Sequence, residues 1–339
     1  MISTQDRERL VGAVIRLGSV FSKGQNDTEN TAAVEAAYLK NQWFIPRFVW
    51  EAIAAWAREL TEENIRRWVE AYPLAKESKR VGLILAGNIP LVGLHDVLAG
   101  YLSGHILHIK LSSQDDVLMM YVISLLKSFS PEDAHRLCVV SSLRDVDAVV
   151  ATGSDNTARY FEYYFRDKPM VIRHSRTSVA VVDEDTSDEE LFMIADDVMM
   201  YWGRGCRSIS RVFFPEGYDI GCFIKALSRY SWVADYHYYR NNYDYQRAIY
   251  TMSGKKDVYD TGFLLLSMED NLLLPTGVVA YDFYKDKSSV EAFVERYKDG
   301  LQCVEGRGVA AAVEYGKSQS PSLTDYADGV DTMKFFAHL

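Results

Sequence analysis

Long apolar runs, a signal-like leader and paired cysteines are all missing from this chain, and each absence removes a class of protein. No stretch approaches the roughly 20 consecutive apolar residues that a membrane-spanning helix needs, so no bilayer span is expected. The opening MISTQDRERL is charged and carries no apolar signal core, which makes a reducing cytoplasmic location the expectation. Only four cysteines occur in 339 residues, at positions 138, 206, 222 and 303. They are widely separated and show no CxxC or Cys/His spacing, so neither a disulfide framework nor a metal site is expected. An excess of positive charge is absent too: 37 Lys and Arg against 47 Asp and Glu leave a net charge of −10. General affinity for nucleic acid or anionic membrane is therefore not expected, although a local basic pocket can still hold a phosphorylated ligand. The GxGxxG fingerprint is missing, which argues against an ordinary dinucleotide fold. No repeat or low-complexity tract occurs.

What is present suits a globular protein with a sizeable core. The chain is 48% hydrophobic, and its length fits two domains at about 150 residues each. The first 75 residues read as helices, with Leu10, Val14, Leu17 and Phe21 at helical spacing, Pro46 opening a second apolar run and Thr61 as an N-cap. From residue 80 short β-rich runs alternate with helical ones: RVGLILAG, PLVGLHDVLAGYLSG, HILHIKLS, a helix from about Asp115 to Lys127, RLCVVSS, DAVVATG and a helix from about Asn156 to Phe165. Such alternation predicts a mostly parallel sheet covered by helices, with ligands at the carboxyl ends of its strands. A second α/β section begins near Lys168 with KPMVIRHS and SVAVVDED, followed by a helix from Asp188 to Tyr201. Beyond VFFPEG come a helix around Ile220 to Leu227, the tyrosine-rich DYHYYRNNYDYQRAIY, the strands GFLLLSM and GVVAYDFY, and a helix from Val290 to Lys298. The tyrosines read either as the lining of an apolar channel or as the packed and exposed faces of one helix.

Cys206 lies between the helix and a strand beginning near Ser208, in the run YWGRGCRSISRVFF. Gly203 and Gly205 allow close backbone approach, and Arg204 and Arg207 favour the thiolate of a group whose unperturbed pKa is about 8.5. A buried, inert thiol is the competing reading. Three other segments suit work on a carbonyl beside a nucleotide. In AGNIPLVG a strand stops at Gly87 and a helix is expected near Pro90, so Asn88 can offer its amide to an oxyanion or cap the helix. In HILHIKLSSQD, Lys110 ends a parallel strand, facing a ribose or phosphate or simply solvent. In VVATGSDNTARYF, Gly153 permits close approach, and Ser154 can meet a phosphate at a helix N-terminus.

In their order and spacing these segments resemble the aldehyde dehydrogenase superfamily, and more closely its acyl-CoA reductase branch of the LuxC type. The ending LTDYADGVDTMKFF is similar to short bacterial members of that branch, and the resemblance covers roughly residues 80–339. It implies two doubly wound α/β domains with an N-terminal helical segment: residues 1–175 for the nucleotide, 176–305 for catalysis, and a tail, 306–339, that returns to the first domain or serves an oligomer interface. It assigns Cys206 as nucleophile, Asn88 as the oxyanion amide, Lys110 as the ribose-contacting lysine, and Gly153 with Ser154 as the cofactor turn.

Departures from the family pattern carry information. Alignment puts Ile172 where water-using relatives carry a glutamate base, so no group there activates water. The neighbouring Arg173 and His174 read as partners of a thioester or phosphate, or as exposed strand residues. Leu111, Ser112 and Ser113 follow the lysine where relatives selective for an unphosphorylated ribose tend to be acidic. Ser113 thus joins the cofactor site, and NADPH is the expected cofactor, with NADH as the alternative. Glu269 and Asn271 lie near a second ribose contact, which stays unassigned. The implied activity is reduction of an acyl-CoA or acyl-carrier thioester to the aldehyde by a homo-oligomer. The alternatives are the same steps run oxidatively, or a non-catalytic protein of the same fold.

Overall fold

The computed structural model describes residues 3–153 and 155–339, apart from the side chain of Asp155. It divides into two compact units, Met1–His174 with Ser322–Leu339, and Ser175–Pro321.

The first unit opens with four helices, α1 (Thr4–Ser22), α2 (Thr28–Lys40), α3 (Pro46–Glu59) and α4 (Glu62–Glu70). Their starts are set locally. Ser3 and Asp6 form a capping box, Pro46 occupies the first turn of α3, and the Thr61 hydroxyl accepts from the Asn64 N–H. Leu10, Val14, Leu17 and Phe21 form the buried face of α1, as their spacing predicts. The sheet follows as β1 (Arg80–Ile84), α5 (Leu94–Leu102), β2 (Ile106–Lys110), α6 (Asp116–Phe129), β3 (Leu137–Val139), β4 (Ala148–Thr152), α7 (Asp155–Phe165) and β5 (Met170–Arg173). Its strand order is β3-β2-β1-β4-β5, and all four pairings are parallel. Val81, Leu83, Leu107 and Ile109, spaced by two and paired across β1 and β2, line one fully buried face of this sheet.

The segment from Lys168, expected to open the second section, instead completes the first sheet. Met170 and Ile172 pack with Phe161 and Phe165 of α7 against Val146, Val149 and Ala151, which fixes β5 beside β4.

The second unit contains β6 (Thr177–Val181), α8 (Asp188–Met199), β7 (Ile209–Pro215), α9 (Ile220–Leu227), α10 (His237–Met252), β8 (Val258–Asp260), β9 (Leu265–Ser267), β10 (Val278–Tyr284), α11 (Lys287–Tyr297) and β11 (Leu301–Gly306). Its sheet has the order β11-β6-β7-β10-β9-β8, parallel except where β8 runs against β9. The tyrosine-rich stretch is α10, with Tyr239 and Tyr243 buried and Tyr245 exposed, so it has the faces of a packed surface helix. The unit runs to Pro321 rather than 305. The chain after β11 folds back on it: Val313 N–H donates to Val304 O at 2.8 Å, and the Tyr315 hydroxyl donates to Val181 O at 2.8 Å.

The remaining segment, Ser322–Leu339, with its helix α12 (Thr332–Ala337), packs in the first unit. Leu323, Tyr326, Met333 and Phe336 are buried there. A relay of hydrogen bonds ties it down: Trp68 Nε1–H donates to the Tyr326 hydroxyl at 2.8 Å, and Tyr326 to Tyr72 at 2.8 Å. Tyr72 in turn donates to the Asp331 carboxylate at 2.8 Å. Arg173, at the end of β5, is buried and donates to Asp96 Oδ1 at 2.6 Å, Thr332 Oγ1 at 2.9 Å and Ala327 O at 3.1 Å. Its guanidinium is therefore a fastener for the tail and not a thioester or phosphate ligand. Among the described residues no helix is long and apolar enough to cross a membrane.

Candidate active site

Asn88, Lys110, Ser113 and Gly153 all lie at the carboxyl edge of the first sheet, just beyond or at the ends of the adjacent strands β1, β2 and β4. Lys110 is the last residue of β2 and is exposed. Asn88 is half-buried in a bend, six positions before the first residue of α5. That helix starts at Leu94, not at Pro90, and its N-cap is Gly93, so Asn88 does not cap it. Residues 90–93 form a turn in which Leu91 adopts φ +58°, a left-handed conformation unusual for leucine.

The cause lies 24 residues further on. Asp115, almost wholly buried after β2, accepts the Leu91 N–H at 2.8 Å. Burial holds its carboxyl well above the usual carboxylate range, so a neutral acid pins the Asn88 loop. Gly87 is required beside it, because a Cβ there would stand 2.6 Å from Ser112 Cβ. Ser112 Oγ accepts the Gln114 N–H at 3.3 Å, shaping the turn that exposes Ser113. Gly153 N–H bonds Arg173 O at 3.3 Å, and a Cβ on it would lie 3.1 Å from Thr157 Cβ in the first turn of α7. The glycine thus lets the end of β4 lie against that turn. Ser154 lies outside the described residues.

Cys206 belongs to the second unit, at the amino end of β7. The helix before it, α8, ends at Met199, and Tyr201, Trp202 and Gly203 then take φ values of +53°, +63° and +67°. Left-handed backbone at non-glycine residues costs about 1–3 kcal/mol each and persists only where surroundings impose it. Here the Trp202 ring stacks on Tyr236 at 4.8 Å and on Tyr239 at 5.6 Å, fixing the reversal. Next comes a β-turn, Gly205–Ser208, closed by Ser208 N–H to Gly205 O and by Gly205 N–H to Ser208 Oγ, both at 3.1 Å. Cys206 is the second residue of that turn and is partly exposed. Its carbonyl accepts the Ser178 hydroxyl at 3.0 Å, and Ser178 also meets Cys303 Sγ at 3.0 Å. Burial draws the Arg204 pKa down from its usual value. Among the described residues no cysteine is in a disulfide, and no three His, Cys, Asp or Glu side chains converge as metal ligands.

Sequence reasoning did not find Asp115, Ser178, Asp197, Glu305, Ser318 or Gln319, which hold these two loops through contacts between residues far apart in the chain. Glu269 is held by Tyr250 and Lys255, each at 2.6 Å, and so has a structural task of its own. Ile172 packs in the small apolar cluster under α7. His174 is exposed and lies 3.5 Å from Glu162.

A parallel sheet and a mostly parallel one, with a cysteine turn ahead of one strand and a glycine-lined carboxyl edge on the other sheet, define an aldehyde dehydrogenase-like oxidoreductase fold. Solved structures agree. An aldehyde dehydrogenase from Bacillus cereus, solved as an NAD+ complex, is similar with a TM-score of 0.60 at 16% identity, over 88% of this chain and 71% of that one. An indole-3-acetaldehyde dehydrogenase of P. syringae gives 0.63 at 13% identity, over 90% and 73%. An oxidoreductase from Marinobacter aquaeolei gives 0.66 at 11% identity, over 98% and 84%. No curated protein matches the sequence. The family model for acyl-CoA reductase (LuxC) matches residues 58–230, about half of the chain, and the protein belongs to that family.

Proposed function

We propose that the protein reduces an acyl-CoA to the corresponding aldehyde with a nicotinamide cofactor, through a thioacyl intermediate on Cys206. The observation that carries this reading is the Cys206 turn itself. A strained, aromatic-braced backbone displays one partly exposed thiol in a chain whose family acts on thioesters. The Cys206 thiolate attacks the thioester carbonyl, Asn88 and a backbone N–H take the oxyanion, and the CoA thiolate leaves. A bound reduced nicotinamide supplies hydride. The thiohemiacetal on Cys206 then loses its hydroxyl proton, the C–S bond breaks, and aldehyde departs as the thiolate returns. Ile172, in the apolar cluster under α7, brings no base for hydrolysis.

The carboxyl edge of the first sheet suits the cofactor. Gly87 and Gly153 sit where a Cβ would collide, Lys110 is exposed, and the hydroxyl of Ser113 stands on an exposed turn. Without a carboxylate at Leu111, Ser112 or Ser113, a ribose phosphate meets no repulsion there, which favours NADPH over NADH.

The test mixes purified protein with labelled hexanoyl-CoA or hexadecanoyl-CoA and NADPH or NADH. Wild type should form labelled protein and consume the reduced cofactor. Cys206→Ala should form none, and Asn88→Ala should be about 100- to 1000-fold slower, the usual cost of one oxyanion donor. Labelling of Cys206→Ala at the wild-type rate refutes the mechanism.

A further inference from the structure

Two buried carboxyl groups lie behind the Cys206 turn. Glu305, in β11, is fully buried, and Asp197, in α8, nearly so. The two carboxyls are close enough to interact, and burial together with the Asp197 charge raises the pKa of Glu305. Glu305 Oε1 accepts the Gly316 N–H at 2.7 Å, and Asp197 Oδ2 accepts the Ser318 N–H at 3.0 Å. Both bonds hold the strap 314–319 from below. From the same strap, the Ser318 hydroxyl donates to Arg207 O at 2.8 Å, and Gln319 Nε2–H donates to Ser208 Oγ at 3.0 Å. Ser208 Oγ is the atom that accepts the Gly205 N–H and closes the turn.

We propose that the Asp197–Glu305 pair, holding one proton, is a positioning clamp for the nucleophile. The pair fixes the strap, and the strap fixes Arg207 and Ser208, the two residues that follow Cys206, of which Ser208 closes the turn. The inference rests on the reading of Cys206 as the acylated residue. Neither carboxyl touches substrate, so both act through the turn. Removing that proton sets two carboxylates against each other in a dry site, and one of the two strap contacts must yield. Tyr315 interacts with Glu305 electrostatically, and Arg307 lies beside its ring. The Tyr315 hydroxyl donates to Val181 O at 2.8 Å, and burial raises its pKa. Arg307 lies 5.3 Å from the Tyr315 ring centroid and pairs with Glu190 and Asp185.

The experiment measures single-turnover acylation of Cys206 by labelled hexadecanoyl-CoA from about pH 7 to about pH 10.5, in wild type, Glu305→Gln and Glu305→Ala. Glu305→Gln carries no charge there at any pH, and its amide oxygen still accepts from Gly316. The rate of wild type should fall as pH passes about 9, where Glu305 loses its proton, and Glu305→Gln should lack that fall. At neutral pH Glu305→Gln should stay close to wild type, while Glu305→Ala should acylate about 100-fold more slowly, as a misplacement near 1 Å can cost. If Glu305→Ala does not fold, the contrast between wild type and Glu305→Gln decides alone. An identical alkaline fall in both, or none in wild type, overturns the clamp. If wild type forms no acyl-enzyme at any pH, the reading of Cys206 fails. The clamp is then judged by iodoacetamide alkylation of Cys206, read by peptide mass spectrometry. A Glu305→Gln to wild-type rate ratio that changes above pH about 9 supports it, and a constant ratio overturns it.

Discussion

Replacing Arg173 with leucine tests whether the tail is fastened by one buried cation. The side chain makes three hydrogen bonds, one to the Asp96 carboxylate and two to neutral oxygens in the segment from Ala327 to Thr332. A charged hydrogen bond contributes about 1.5–3 kcal/mol and each neutral one about 0.5–1.5 kcal/mol. Breaking a buried ion pair by removing one partner typically costs about 3–5 kcal/mol, because the surviving charge is stranded, and the two figures overlap. At about 1.4 kcal/mol per factor of ten, that range corresponds to opening of the tail about 100- to 4000-fold more often. Hydrogen exchange of peptides from 322–339, read by mass spectrometry, measures this opening directly and avoids a global melt that mixes two units. Peptides from β7 and β10 should keep wild-type protection. The double variant Arg173→Met with Asp96→Leu should regain more than half of the lost protection, since no charge is then buried alone. A change below about fivefold in Arg173→Leu refutes the reasoning, as it is less than one ordinary hydrogen bond.

Two further outcomes concern the Asn88 loop. The carboxyl of Asp115 is neutral in the fold at pH values where the unfolded chain is ionised, so wild-type stability falls as pH rises above about 4 towards the raised folded pKa. Asp115→Asn still accepts the Leu91 N–H and does not titrate. Its melting temperature should therefore gain on wild type between about pH 4.5 and about pH 7.5 in paired thermal scans, and a gap that stays constant or shrinks refutes the assignment. Gly87→Ala places a Cβ 2.6 Å from Ser112 Cβ and 3.1 Å from Asp115 N, so the turn carrying Ser112 and Ser113 must shift. Cofactor affinity by fluorescence titration should weaken at least about tenfold, and an unchanged Kd contradicts the placement of the cofactor at this edge.

Much of the fold is legible because its signals are local. Thr61 caps α4, the residues Ile220–Leu227 form α9 behind the cap Asp219, and Leu10 through Phe21 line one face of α1. The loops around the site are less legible. The delay of α5 to Leu94 depends on a carboxyl 24 residues away, and no propensity at Pro90 or Leu91 announces it. Gly203 and Gly205 point to a turn, but Tyr201 and Trp202 favour no left-handed backbone by themselves; the ring stack with Tyr236 and Tyr239 imposes it. Glu305 carries no signal of its own in the sequence, and its task is visible only once β11 lies beside β6 and Glu305 Oε1 accepts the Gly316 N–H. The boundary at Lys168 was misleading for the same reason: the partners of β5 are Val149 to Thr152, earlier in the chain.

The two-part first unit bears on synthesis. The relay from Trp68 to Asp331 joins residues more than 250 positions apart, so a chain emerging from the ribosome holds its early helices without this partner until residues 322–339 are out. The second unit, one continuous stretch from 175 to 321, can complete itself first. During that interval the Trp68 indole N–H and the His95 ring lack the Tyr326 hydroxyl and the Leu323 carbonyl that they bond in the fold. A chain that stops before residue 322 therefore lacks the hydroxyl that Trp68 of α4 bonds in the fold.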